Sequence, residues 1–328
     1  MLSILSSTTH FLQRIRRPTR FLVLSCFAGM GACDDDSHRD QPGGDPDAGG
    51  TIDLDTSPDG LATDAAGTDA GDQQQPPRMC SGTQLFGRPN ATTGLGIEQC
   101  TPFCADCGVQ GFEARSFGEA EVAQLRAWRL AEPFSEVIAD PYLDSPPEIS
   151  PTSVCGLLID PQQPLTYRLQ TFPTPTAAAE AGAEVTHGGV CGVCSTLENL
   201  AVYIQNEDLT APVRQCGLDA ISGGKDANIA CLQDLGFDLP CAQIWYFNTE
   251  NTRSACFEPC IAALNEPYHL PDGSLNACLQ CDEDNSGPVF KAIAGRTRRN
   301  SGLANALCRP CSEVMPLQHT YADVVSGP

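Results

Sequence analysis

The chain has 328 residues, with 41 acidic and 19 basic side chains and a formal charge of −22. This length allows one large or two small domains. The charge excludes a nucleic-acid partner, because nucleic-acid binding depends on neutralising phosphates with Lys and Arg. The sequence also lacks a run of about 18 apolar residues, so no transmembrane helix is predicted.

The N-terminal residues have the layout of an export signal. Four arginines precede the apolar run 21–31, which is too short to span a bilayer. The run ends in Met30-Gly31-Ala32-Cys33, which resembles the lipobox of bacterial lipoproteins, where small residues precede the cysteine that is lipidated. The resemblance implies a signal peptide over 1–32, lipidation of Cys33, and a bacterial membrane as a partner through this N-terminal anchor.

Cys26 is an alternative lipidation site, but it leaves an apolar run of only about five residues, below the usual length. Lipidation of Cys33 leaves 16 cysteines after the anchor, which can pair completely, whereas lipidation of Cys26 leaves 17. Ordinary secretion, with Cys33 as a spare thiol, is the remaining alternative.

The segment that follows, 33–79, is predicted to be a disordered tether. Residues 34–79 contain 12 Asp and 2 Arg and almost no large apolar residue. Such a composition buries too little apolar surface to offset the entropy of ordering the chain. The segment is similar to the Asp/Gly/Thr-rich stalks of bacterial surface lipoproteins, which places the protein in the cell envelope, outside the cytoplasm.

The remaining residues, 80–328, carry a net charge of −16 and 16 cysteines, four pairs of which have C-x-x-C spacing. Cys278-x-x-Cys281 with Cys308-x-x-Cys311 has the spacing of a zinc site. In an exported protein, however, paired cysteines are usually disulfides, and that interpretation is favoured. The connectivity does not follow from the sequence.

The coarse pattern predicts an α+β, mostly helical, disulfide-stapled single domain behind the tether. Strands are predicted at Val154–Ile159, Tyr167–Phe172 and Glu184–Thr186. Helices are predicted over Gly118–Ile138, after a capping box at Ser195–Glu198, over Asp226–Leu235, around Cys256–Leu264, over Ser286–Gly295 and over Gly302–Cys308. In the helix around Cys256–Leu264, the apolar side chains are expected to form the core face.

The segment from His187 to Ser195 is a candidate catalytic site. Its glycines let backbones approach closely, and Cys194 precedes a helix N-terminus, where free N–H groups stabilise a thiolate. His187 is then a base or a ligand for copper or zinc. Cys191 to Ser195 resembles the C-G-[SA]-C-[WY] motif of papain-like cysteine proteases, which implies a disulfide at Cys191 and a nucleophile at Cys194. The favoured alternative locks both cysteines in structural disulfides.

The segment 276–302 is a candidate binding site. It carries Arg296, Arg298 and Arg299 within an acidic domain, and arginine forks bind carboxylates or phosphates at two points. The alternative, which is slightly favoured, is that these arginines pair with the neighbouring Asp282, Glu283 and Asp284 on a solvated face.

The two segments together resemble uncharacterised secreted cysteine-rich proteins over about residues 165–311. We therefore expect a domain that binds a small molecule or a protein in a pocket where His187–Ser195 meets Arg296–Arg299. The other hypothesis is an enzyme that uses Cys194 or His187 for thiol chemistry, or a His/Cys metal site. No cofactor is predicted.

Overall fold

A computed structural model describes residues 80–321. The predicted signal peptide, the lipidation site Cys33 and the tether lie outside the described residues. Within 80–321, 41% of residues are helical and 13% are in strands. The α+β, mostly helical, disulfide-stapled fold is therefore confirmed.

Nine strands form three sheets. Their bounds are β1 (Leu85–Phe86), β2 (Cys100–Thr101), β3 (Phe103–Cys104), β4 (Phe112–Glu113), β5 (Arg129–Leu130), β6 (Val154–Ile159), β7 (Thr166–Phe172), β8 (Glu184–Gly188) and β9 (Arg309–Pro310) among the described residues. The largest sheet has the order β5-β7-β6-β8, with β6 antiparallel to β7 and β8, and β5 parallel to β7. A three-stranded sheet has the order β2-β1-β9, and β3 pairs with β4.

Eight α-helices accompany the sheets in the same part of the chain. They are α1 (Glu119–Ala127), α2 (Pro175–Glu180), α3 (Leu197–Gln205), α4 (Thr210–Asp234), α5 (Leu239–Ala255), α6 (Phe257–Ala262), α7 (Ala277–Asn285) and α8 (Gly287–Ala294). The main core lies between the β7–β6 face of the largest sheet and helices α1, α3, α4 and α5. Leu157, Leu200 and Ile244 are fully buried in it.

Helix α4 is folded back on itself. Gly224 has φ +68° and non-helical geometry, which breaks the helix. Cys216 and Cys231 are joined by a disulfide with a Cα–Cα distance of 5.4 Å, whereas 15 residues of straight helix span about 22 Å. The two arms of α4 are therefore antiparallel and stapled together.

Several predicted elements are confirmed and others are corrected. The three predicted strands and the helix over 286–295 are present. The predicted helix 118–138 ends at Ala127, because the next residues leave it to pair with β7. Thr196, rather than Ser195, caps α3, and its hydroxyl accepts a hydrogen bond from the Asn199 amide at 3.1 Å. The helix predicted over 302–308 is wrong; a 3₁₀ turn covers Arg299–Ser301 instead.

All 16 cysteines of the described residues are paired, and no C-x-x-C pair bonds internally. The bonds are Cys80–Cys107, Cys100–Cys308, Cys104–Cys311, Cys155–Cys191, Cys194–Cys241, Cys216–Cys231, Cys256–Cys281 and Cys260–Cys278. Eight disulfides indicate an oxidising, extracytoplasmic environment. Within 80–321, no helix combines the length and apolar character needed to cross a bilayer.

Two of these bonds close nearly the same loop. Cys100–Cys308 and Cys104–Cys311 span 208 and 207 residues and fasten the start of the described chain to its end. When one bond is intact, the other closes a ring of only a few residues, so its entropic contribution is small. When both are absent, the long loop opens.

We therefore expect the two bonds to be strongly non-additive. Removing both pairs by Cys→Ala substitution destabilises the protein by about 3 kcal/mol more than the sum of the two single removals. The measurement is the free energy of unfolding in urea for the four proteins of a double-mutant cycle. Additivity within about 0.5 kcal/mol contradicts this account of the loop.

Candidate functional site

The two sequence segments singled out for function meet in the structure. The Val193 amide donates to the Ile293 carbonyl at 3.0 Å, and the Cys194 amide donates to the Ala294 carbonyl at 2.9 Å. A Cβ at Gly192 would lie 2.2 Å from the Ile293 carbonyl oxygen. Glycine at this position therefore allows the turn before α3 to lie directly against the end of α8.

His187 is held inside this contact and is fully buried. Its Nδ1 lies 2.9 Å from the Gly188 carbonyl, so Nδ1 carries the proton and Nε2 accepts from the Ser195 hydroxyl at 2.7 Å. Burial, together with the charge of Arg296, holds the pKa of His187 well below its ordinary value. Both ring nitrogens are thus engaged within the protein, and a metal ion finds no free lone pair on this side chain.

Cys194, the candidate nucleophile, is fully buried and disulfide-bonded to Cys241 of α5. Cys191 is bonded to Cys155 of β6. Both cysteines are therefore bonded to partners distant in the sequence. This agrees with the alternative favoured from the sequence, in which both are held in structural disulfides. The described residues thus offer no thiol for nucleophilic or exchange chemistry at this turn, and the proposed roles of Cys194 and His187 have no supporting geometry.

Arg296 is also fully buried and joins three segments. Its guanidinium donates to the Thr186 carbonyl and hydroxyl at 2.9 and 2.7 Å and to the Ser195 carbonyl at 2.9 Å. A fourth bond reaches the Ser301 hydroxyl at 3.2 Å. Arg296 therefore fixes the loop 295–301 against β8 and the turn before α3, and it is a structural residue rather than a ligand contact.

Glu283 is the centre of a charged cluster with Lys291, Arg299 and Arg309. Its carboxylate lies 2.6 Å from Arg299, 2.7 Å from Arg309 and 3.3 Å from Lys291. Burial alone raises the pKa of Glu283, but the three cations, Arg309 foremost, outweigh burial and lower the pKa to about 2. Arg299 also pairs with Glu313 at 2.5 Å. The ion pair between Arg299 and Glu283, which the sequence offered as an alternative, is thus present. The pairs of Glu283 with Lys291 and Arg309 and of Arg299 with Glu313 were not indicated by the sequence.

Asp282 faces a different set of side chains. It accepts hydrogen bonds from the Thr252 hydroxyl and from the Asn248 amide, and burial raises its pKa. Asp282 therefore forms a polar link between α7 and α5 rather than a partner for the arginines.

A polar cleft of about 640 Å³ lies beside the contact of the two segments. Gly188 and Gly189 line it from the turn, and Thr297, Arg299 and Asn300 line it from the opposite segment. The two segments that we expected to form a pocket are therefore neighbours on one cleft, although Arg296 itself is buried behind it.

A second cleft, of about 430 Å³, has apolar walls. We call it the apolar cleft. Two groups of exposed side chains line it and are called its lips: Leu218 and Ile221 on α4, and Phe257, Ile261 and Leu264 of α6 and the residues after it. The exposed fractions of these five side chains are 50–70%. The expectation that the apolar side chains around Cys256–Leu264 form a core face is thus wrong: the cysteines fasten α6 to α7, and the apolar face lines the cleft.

The charged cluster lies where the two clefts meet. Both clefts are lined by Glu283, Lys291, Thr297, Arg299 and Arg309. A ligand in the apolar cleft thus has charged groups at one boundary. This location was missed by sequence reasoning, which placed the pocket at the glycine-rich turn.

Arg298 lines the apolar cleft and is only 8% exposed. Its Nη1 donates to the Tyr203 carbonyl at 2.6 Å, while its Nη2 is buried without a hydrogen-bond partner among residues 80–321. Burial lowers the pKa of Arg298 to about 10, so the side chain remains charged at neutral pH.

One cluster of described residues has metal-ligand spacing. The sulfurs of Cys80, Cys104 and Cys107 lie within 4.8 Å of one another. Cys80 is bonded to Cys107, and Cys104 to Cys311, whereas a metal requires thiolates. In the oxidised protein these sulfurs are therefore not suited to hold copper or zinc.

His319 provides a pH-dependent contribution to stability. It is buried, its Nε2 donates to the Ser301 carbonyl at 2.7 Å, and burial together with Arg296 lowers its pKa to about 3. The unfolded chain binds this proton near pH 6.5. The contribution to stability is therefore present above pH 6.5 and is lost as the pH falls below it, by about 2 kcal/mol at pH 5.

We expect His319→Asn to remove this loss, because Asn does not titrate and tolerates the left-handed φ of +52° at this position. Between pH 7 and pH 5, the free energy of unfolding of the variant falls by about 2 kcal/mol less than that of the wild type. Urea unfolding at both pH values measures the difference. Parallel pH profiles show that His319 is protonated or exposed in the folded protein.

Comparisons with known proteins give one match. A model of a family of unknown function (DUF8771) matches residues 225–317, which include α5 to α8 and the segment with the arginines. No curated protein and no solved structure matches the chain. The chain thus contains a disulfide-rich domain that is similar, over these residues, to a family of unknown function.

Proposed function

We propose that the protein is a lipid-anchored, extracytoplasmic binding protein whose ligand occupies the apolar cleft. One observation carries this proposal. Of the 12 large apolar side chains exposed in the described residues, five lie on the two lips of this one cleft. Scattered exposed apolar residues need no explanation, whereas an exposed apolar patch marks an interaction site. The cleft volume is also within the range of small-molecule sites.

The lips are held in place by covalent bonds, which supports a binding role. Cys216–Cys231 fastens the arms of α4, and α6 is fastened to α7 through Cys260–Cys278 and by Cys256–Cys281 at its start. A cleft that is already formed loses less conformational entropy when a ligand enters. Neither Cys194 nor His187 lines the apolar cleft, so the supporting geometry favours binding over thiol chemistry.

The anchor is proposed at Cys33, and the oxidising environment indicated by the disulfides is consistent with export. We expect Cys33→Ser to move the protein from the detergent phase to the aqueous phase in a phase-separation assay, because the lipid supplies the apolar surface. Cys26→Ser is the matched control and stays in the detergent phase. A wild-type protein in the aqueous phase, or a shift caused by Cys26→Ser alone, refutes the assignment of Cys33.

The cleft is tested with a neutral fluorescent dye, N-phenyl-1-naphthylamine, whose emission increases in apolar surroundings. We expect Ile221→Gln to weaken dye binding about fivefold, corresponding to about 1 kcal/mol of lost apolar contact. Ile97→Gln is the matched control, since Ile97 is 73% exposed and lies outside the cleft, while Ile221 is 70% exposed. Equal effects of the two substitutions, or no dye binding to the wild type, would contradict the proposed site.

A further inference from the structure

We propose that the ligand of the apolar cleft is a free single-chain amphiphile with a carboxylate head, and that Arg298 binds this head. The inference rests on the proposed function and names the class of ligand. Three observations support it: the charge of the cleft, the unpaired state of Arg298, and the apolar side chains of the lips.

The charge of the cleft is opposite to that of the chain. Six basic residues line the cleft against four acidic ones, a surplus of two positive charges (6 − 4) in a protein with a formal charge of −22. The basic residues are Arg214, Arg253, Lys291, Arg298, Arg299 and Arg309, and the acidic residues are Glu207, Asp208, Asp282 and Glu283. This concentration of cations favours an anionic ligand.

Among the described residues, Arg298 and Arg214 are the members of this set without an ion pair, and of these two only Arg298 is buried. Among the ion pairs of the described residues, none includes Arg298. The nearby Glu207 is paired with Arg88 at 2.7 Å, and Asp208 accepts from the Tyr268 hydroxyl at 3.0 Å. A buried guanidinium with an unpaired Nη2 is costly unless a partner satisfies it. Because Nη2 itself is buried, a carboxylate in the cleft reaches it when the Arg298 side chain turns toward the opening, and the carboxylate then supplies both the missing acceptor and the missing charge.

The neighbouring cluster reinforces the positive potential. Lys291, Arg299 and Arg309 share the two carboxylates of Glu283 and Glu313, which leaves one positive charge in excess. These three cations are already occupied by ion pairs, so they attract an anion from nearby, whereas Arg298 has a free donor with which to bind it.

The apolar side chains of the cleft determine the chemical character of the rest of the ligand. The apolar side chains that line the cleft are Leu218, Ile221, Phe257, Ile261 and Leu264. Aliphatic and aromatic walls favour an alkyl chain, which gains about 0.8 kcal/mol for each buried methylene. A small amphiphile fits this concave site of about 430 Å³ better than a folded partner, which requires a total interface of at least about 1,000 Å².

The experiment compares dodecanoate with dodecan-1-ol on the full-length chain at pH 8, where the acid is ionised. Both compounds displace N-phenyl-1-naphthylamine, and their dissociation constants are measured below micelle concentrations. We expect the acid to bind at least about tenfold more tightly than the alcohol, because a hydrogen-bonded ion pair replaces a buried unpaired donor.

Arg298→Gln should abolish this preference and leave the affinity for dodecan-1-ol within about twofold of the wild type. Arg168→Gln is the matched control, because Arg168 is exposed on β7 and does not line the cleft. It should leave the ratio of the two dissociation constants unchanged. Retained binding of the alcohol shows that the Arg298→Gln protein is folded.

The outcomes separate the two proposals. Equal affinities of wild-type protein for acid and alcohol refute the carboxylate head but leave the apolar cleft as a binding site. Failure of both compounds to bind refutes the proposed function as well. If Arg298→Gln does not fold, Arg298→Lys, which keeps the charge but not the fork, should lower the preference for the acid; an unchanged preference refutes the role of Arg298. Stronger binding of the Cys33→Ser chain to anionic phospholipid vesicles than to dodecanoate would identify a membrane surface instead.

Discussion

The buried guanidinium of Arg296 is the interaction on which the candidate site depends. A charge in the interior is tolerated only where hydrogen bonds replace its hydration, and within the described residues carbonyl and hydroxyl oxygens, rather than a carboxylate, provide these bonds. They come from β8, from the residue before the cap of α3, and from Ser301. Because Arg298 and Arg299 follow within three residues, the bonds of Arg296 hold the backbone from which both side chains extend, and their own partners then orient them.

Disulfides also help to keep the apolar side chains of the cleft exposed to water. Closing a cleft lined by Ile221 and Phe257 lowers the free energy of the protein, because closure removes apolar surface from water. The two arms of α4 are bonded to each other, and α6 is bonded to α7, so each lip is held rigid by its own disulfides. The same bonds that stabilise the fold therefore limit how far each lip can rearrange to bury its apolar side chains.

The elements predicted correctly from the sequence are those that local sequence signals determine. The strand at Val154–Ile159 and the helix ended by Gly295 are in the structure, since residue type and turn chemistry suffice there. Helix α5 was missed, although Asp238 followed by a proline is a usual helix start. The apolar face of α6 was predicted to be core, because a core face and a cleft lip have the same spacing. Which of the two it is depends on what packs opposite, as do the disulfide partners and the unpaired state of Arg298.

The charge distribution sets the range over which such a site acts. The acidic residues that give the chain its formal charge of −22 repel an anion at long distance. At physiological ionic strength the screening length is about 8 Å, so distant exposed carboxylates contribute little inside the cleft. Arg298 is almost completely buried and is screened much less. An anionic head that reaches the cleft therefore experiences the local cations rather than the acidic surface, and raising the salt concentration weakens the repulsion on approach more than the attraction at the site.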